Sequence, residues 1–183
     1  MSDAPVRVAV IIGSTREGRA GEAVARWLVS RARRRDDLEV DVVDLADFDL
    51  PARYLCAVTP DVAAFTGRVD AADAFVVVTP EYNHSFPASL KQAIDYAYDE
   101  WQAKPIGFVA YGHGSGGLYV IEHLRTVCTE LHMVVVRGRV NLDLLDGDIE
   151  ADGPARDAEA MLDQLRWWGL ALRDARAARP YVS

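Results

Sequence analysis

Short β-branched runs recur along this chain, each followed by a segment of helical period, and that alternation restricts the fold more than any other feature. Val6 to Gly13 is a continuous apolar strand. Residues 20 to 34 follow it with Ala20, Ala23, Val24, Trp27 and Leu28 at helical spacing. Further strands are expected over Leu38 to Leu45, 74 to 79, Ile106 to Tyr111 and Met133 to Val140. Helices are expected over 61 to 72, about 87 to 101, about 116 to 131 and about 154 to 176. The third helix has Pro87 in its first turn and turns Leu90, Ile94, Ala97 and Trp101 inward. The fourth buries Ile121, Leu124, Cys128 and Leu131, and the last buries Met161, Leu162, Leu165, Trp168 and Leu172. Residues 46 to 60 read as a loop broken by Pro51 and Pro60. Near-continuous Val/Ile runs belong to strands covered on both faces, hence to a parallel sheet. Right-handed crossovers then give a three-layer, doubly wound α/β sheet. Five strands in so short a chain fit the order 2-1-3-4-5 better than the six-stranded 3-2-1-4-5-6. We expect one domain over residues 1 to 183.

Composition narrows the class. At 183 residues and 50% hydrophobic, the chain supports one full core. No apolar run approaches the roughly 20 residues that cross a bilayer, so no membrane partner is expected. The first residues, MSDAPVRVAVII, carry neither a basic region nor a cleavage-site pattern, so we expect no secretory signal and a cytoplasmic setting. Cys56 and Cys128 make no metal or redox spacing and read as small buried residues in a reducing compartment. The net charge is −8, and the one basic run, Arg31, Arg33, Arg34 and Arg35, falls at a helix end where cations suit the dipole. No nucleic-acid surface is expected from it. The four histidines are scattered over different elements, and neither a catalytic triad nor a metal site is expected.

The chemistry is expected beyond the carboxyl ends of the strands, near the switch between strands one and three. Three unusual loops leave strands one, three and four, which are neighbours in the order 2-1-3-4-5. The first is Gly13-Ser14-Thr15-Arg16-Glu17-Gly18-Arg19. It precedes a helix, so backbone N–H groups and the positive dipole end face a ligand there. Ser14 and Thr15 offer hydroxyls, and Arg16 and Arg19 can grip phosphate oxygens. Neither G-x-G-x-x-G nor a Walker loop is present, which favours a terminal monophosphate over a pyrophosphate. By itself this loop also reads as a Ser/Thr helix cap with two solvated arginines. The second loop is Pro80-Glu81-Tyr82-Asn83-His84-Ser85, whose aromatic face and amide can line the edge of a flat heterocycle. The third, Gly112-His113-Gly114-Ser115-Gly116-Gly117, can approach the same ring closely, or can be an ordinary flexible turn.

The segments GSTREGR at 13 to 19, TPEYNHSFPASLKQAIDY at 79 to 96 and YGHGSGGL at 111 to 118 together resemble the NADPH-dependent FMN reductase family, in order and over nearly the whole chain. The resemblance implies a flavodoxin-like fold, bound FMN, NADPH or NADH as co-substrate, and a homodimer with the flavin near the subunit boundary. It implies that Ser14, Arg16 and Arg19, with Thr15 beside them, hold the phosphate. Pro80, Glu81, Tyr82 and Asn83, with Ser85, would contact the ribityl chain and ring, and Ser115, Gly116 and Gly117 would line its other side. Two positions depart from the family pattern. His113 stands where a glycine is usual, and Tyr119 where an arginine is usual, so a cation near the cofactor edge or the dimer interface is lost. The implied activity is an oxidoreductase passing hydride from nicotinamide to flavin and on to a flavin, a quinone, another small acceptor or a partner oxygenase. An electron-transfer carrier and a non-catalytic flavin-binding protein are the alternatives the same fold allows. Tyr96 and Tyr98 are expected off the buried stripe of the third helix, on a dimer face beside the flavin loop.

Overall fold

The computed structural model describes residues 4–53, 57–144 and 149–182. Among these, five strands form one all-parallel sheet in the order β2-β1-β3-β4-β5. The strands are β1 (Val6–Ile12), β2 (Leu38–Asp44), β3 (Ala74–Pro80), β4 (Pro105–Gly112) and β5 (Val134–Asp143). The helices are α1 (Gly21–Ala32), α2 (Pro60–Ala71), α3 (Ala88–Tyr96), α4 (Leu118–Glu130) and α5 (Asp152–Ala178). The central strands β3 and β4 are buried at every position, as continuous apolar runs require, whereas β2, at the sheet edge, alternates. One face of the sheet packs a core that includes Val24, Leu28, Met161, Leu162 and Leu165 from α1 and α5. The opposite face packs a core that includes Phe65, Leu90, Ile94, Ile121 and Leu124 from α2, α3 and α4. The fold is therefore the flavodoxin-like, three-layer arrangement that the alternation predicts.

Four local expectations are corrected. Helix α3 stops at Tyr96, because Ala97 turns extended; Trp101 reaches the core from a 3-10 turn over Asp99–Trp101. Its indole N–H donates to the Ile94 carbonyl at 3.1 Å. Trp168 does not face the sheet. It is exposed and meets Trp167 edge-on at 4.9 Å, because α5 approaches β1 at Gly169, where even a Cβ would come within 2.8 Å of Val6. Ala23 is exposed, the inner stripe of α1 running through Gly21, Val24, Ala25 and Leu28. Strand β5 runs three residues past Val140. A bulge shifts its register between Ile106 and Phe108, which carries Asn141 and Asp143 to the carboxyl edge. Cys128 is a buried free thiol that burial pushes up to about 12, and Cys56 lies outside the described residues.

Candidate functional site

The loops that follow β1, β3 and β4 meet in one cleft of about 410 Å³ at the carboxyl edge. That volume lies within the range small-ligand pockets take. Six of the sequence-derived candidates line it: Ser14, Arg16, Arg19, Pro80, Glu81 and Tyr82. Tyr111, Gly112 and His113 of the β4 edge complete the wall, with Leu144 beside them.

Helix α1 does not begin at a Ser or Thr cap. Its cap position is Ala20, with no side-chain cap bond, so its first-turn N–H groups are left to other partners. Ser14 is buried instead, 3.2 Å from the Tyr82 hydroxyl, and its Oγ accepts from the Arg16 N–H at 3.4 Å. The two arginines then separate. Arg19 donates to the Asp44 carboxylate at 2.6 Å, to Glu22 at 3.2 Å and to the Ser14 carbonyl at 2.7 Å. It straps the loop to the end of β2. Arg16 is exposed in the cleft, and its guanidinium makes no ion pair among the described residues. Thr15 is exposed outside the lining.

The polar exit from β3 is a hairpin. Tyr82 and Ser85 exchange backbone hydrogen bonds at 2.8 and 2.9 Å, and the residues between them, Asn83 and His84, both have positive φ, 50° and 62°. That is the two-residue turn in which Asn is favoured. Asn83 and Ser85 thus stand on the hairpin outside the cleft lining, with Ser85 Oγ 3.2 Å from His123 Nδ1. Pro80, Glu81 and Tyr82 line the cleft ahead of the turn. The Glu81 carboxylate accepts from Ser115 Oγ at 2.7 Å and from the N–H groups of Tyr119 and Val120 at 2.9 and 3.2 Å. Its anion caps the start of α4, where Gly117 has no side chain to do so. Gly117 itself is required, since its φ is +80° and a Cβ would come within 2.6 Å of Ala110.

Asn141 holds the other side of that glycine loop by donating to the Gly116 carbonyl at 3.0 Å, and Asp143 accepts from the Gly114 N–H. Sequence reasoning missed Asp44, Asn141 and Asp143, because each acts across the sheet on a loop far away in the chain. It also missed Tyr111, which reads as one more apolar strand residue. Tyr119, where the family pattern has arginine, stacks on His84 with ring centroids 4.0 Å apart.

The sequence model of the NADPH-dependent FMN reductase family matches residues 6–145. The chain belongs to that family. An NAD(P)H-dependent FMN reductase of Schizosaccharomyces pombe is 35% identical over 138 residues, 70% of this chain and 68% of the relative. A 2-hydroxy-1,4-benzoquinone reductase of a Burkholderia species is 33% identical over 138 residues, 72% of this chain and 74% of the relative. Among solved structures, an oxidoreductase of Corynebacterium diphtheriae superposes with a TM-score of 0.73 at 18% identity, over 94% of this chain and 99% of that one, a likeness of fold.

The residues present fit the FMN this family implies. An arginine without an ion pair among the described residues, an uncapped helix start and a buried hydroxyl collect at one end of the cleft, a donor set suited to a phosphate monoester. The aromatic Tyr82 and the β4 edge at Tyr111, Gly112 and His113 bound the rest, while Ser115, Gly116 and Gly117 stand outside the lining. No helix among the described residues is long and apolar enough to cross a membrane.

Proposed function

We propose that the carboxyl-edge cleft holds one FMN per chain and that this flavin serves an NAD(P)H-dependent reductase of small acceptors, with quinones and free flavin as the preferred class. The observation that carries the reading is the convergence of three loops on a cleft where the Arg16 guanidinium makes no ion pair among the described residues. In this reading Arg16 holds the phosphate, and Arg19 positions the loop through the Ser14 carbonyl. Tyr82, Gly116 and Gly117 bound the ring, with Ser115 supporting that loop. Glu81 keeps the two ring-facing loops in register through α4. When bound, FMN supplies the ring that takes a hydride from a reduced nicotinamide and delivers electrons to the second substrate. The chain itself supplies binding and orientation, and the reading requires no side-chain nucleophile. The quinone preference rests on the quinone-reducing relative.

The same proposal takes residues 1–183 as one flavin-binding domain in the cytoplasm and a homodimer as its working form, with a partner oxygenase as a further possible recipient of reduced flavin. Tyr96 does not serve the dimer face: its hydroxyl donates to the Pro51 carbonyl at 2.5 Å. Tyr98 lies beyond the end of α3, and the exposed Leu118 and Tyr119 open α4 next to the cleft. These exposed groups form the face offered to a second copy. Steady-state oxidation of NADH and NADPH by the flavin-loaded chain, with benzoquinone and free FMN as acceptors, tests the function. Turnover with a quinone supports it. Flavin-loaded protein that oxidises neither nicotinamide returns the chain to the carrier reading.

A further inference from the structure

We propose that the Tyr111 hydroxyl donates a hydrogen bond to the phosphate of bound FMN, an assignment that rests on the flavin reading above. Tyr111 lies near the end of β4, lines the cleft and is 3% exposed. Its hydroxyl is buried and has no hydrogen-bond partner among the described residues. Proteins rarely leave a buried hydroxyl in that state, because the group has lost water and gained nothing.

Its surroundings are those of an anion subsite. The hydroxyl lies against the first residue of α1, so closely that a Cβ on Gly21 would come within 2.7 Å of it. That helix begins without a side-chain cap, and its first N–H groups carry the positive end of the dipole. Burial, reinforced by Tyr82, holds the phenol proton well above the usual tyrosine range, against the opposing pull of Arg19. The phenol is therefore a donor throughout the working pH range. Arg19 is engaged by Asp44, Glu22 and Ser14, so a neutral donor at this end supplements Arg16.

A packing role and a ligand role make opposite demands on one conservative variant. If the hydroxyl serves the ligand, Tyr111→Phe leaves the flavin-free chain as stable as the parent or more so, because an unsatisfied buried group has been removed. The experiment is thermal denaturation of the flavin-free full chain, together with fluorescence titrations of FMN and riboflavin, for the parent and Tyr111→Phe. The expected result is an equal or higher melting temperature, an FMN affinity lowered about tenfold, and an unchanged riboflavin affinity. Unchanged FMN affinity overturns the assignment, as does an equal loss for both flavins. A parent that binds neither flavin overturns the flavin reading itself, an outcome visible before the variant is made.

Discussion

The two ends of the sheet treat their cations in opposite ways. At the amino edge, Arg7, Arg173 and Arg176 converge on Asp73, 2% exposed, with nitrogen–oxygen distances of 3.4 to 3.5 Å. Arg176 also donates to the Ala103 carbonyl and Arg173 to those of Ala4 and Pro5. The hollow there measures about 610 Å³, larger than the cleft at the carboxyl edge. At the carboxyl edge, among the described residues, the Arg16 guanidinium has no ion pair and the Tyr111 hydroxyl has no hydrogen-bond partner. Size favours the amino edge, and the unmatched donors favour the carboxyl edge, where the flavin is proposed to bind. Cations matched within the protein tie α5 to β1 and to the residue that precedes β3, while the unmatched donors are the ones proposed to take the flavin phosphate. Lys104, 5% exposed, occupies an intermediate place: it donates to the Val69 and Asp70 carbonyls rather than to a carboxylate.

The contrast can be broken most forcefully at Asp73. Asp73→Ala strands three arginines and the Arg7 N–H, and should destabilise the fold by about 3–5 kcal/mol. Urea denaturation measures this, and FMN affinity of the folded fraction should not change. Lys104 gives the next effect. Burial, followed by the field of Arg176, lowers its pKa from 10.5 to about 8. The unfolded chain thus binds more protons between pH 8 and 10.5, so stability should rise with pH across that window. The expected gain is about 3 kcal/mol. Denaturation at several pH values should show the rise in the parent and its loss in Lys104→Met.

Arg16→Ala sharpens the other half of the comparison. It should weaken FMN about 10–100-fold, leave riboflavin binding unchanged and leave the melting temperature untouched. The smallest effect belongs to Glu81→Gln, which keeps one acceptor of two and removes the anion from the start of α4. A loss of about 1 kcal/mol in stability is expected, with FMN weakened severalfold, by the same denaturation and titration.

What the sequence disclosed follows from the range of the forces involved. Strands β1, β3 and β4 were legible because burial on both faces writes itself as an uninterrupted apolar run. The positions of the three loops followed from strand order alone. The partners of the loops were not legible. Arg16 and Arg19 look alike in GSTREGR, and only Asp44, placed beside them by the pairing of β1 with β2, distinguishes a strap from a free cation. Glu81 lines the cleft, and its second task, holding the start of α4, is not written in the sequence. Trp168 fitted the helical stripe, but the close approach at Gly169 displaced it. The Asp73 network includes a contact between residues 169 positions apart, Arg173 and Ala4, and leaves no local pattern.

The central claim is that the carboxyl-edge cleft recognises the flavin through its phosphate. A calorimetric titration of the flavin-free chain with FMN and with riboflavin measures this directly. The account predicts one FMN per chain, bound at least about tenfold more tightly than riboflavin, since a charge-assisted contact separates the two ligands. Equal affinities for the two flavins, or no binding of either, would contradict it.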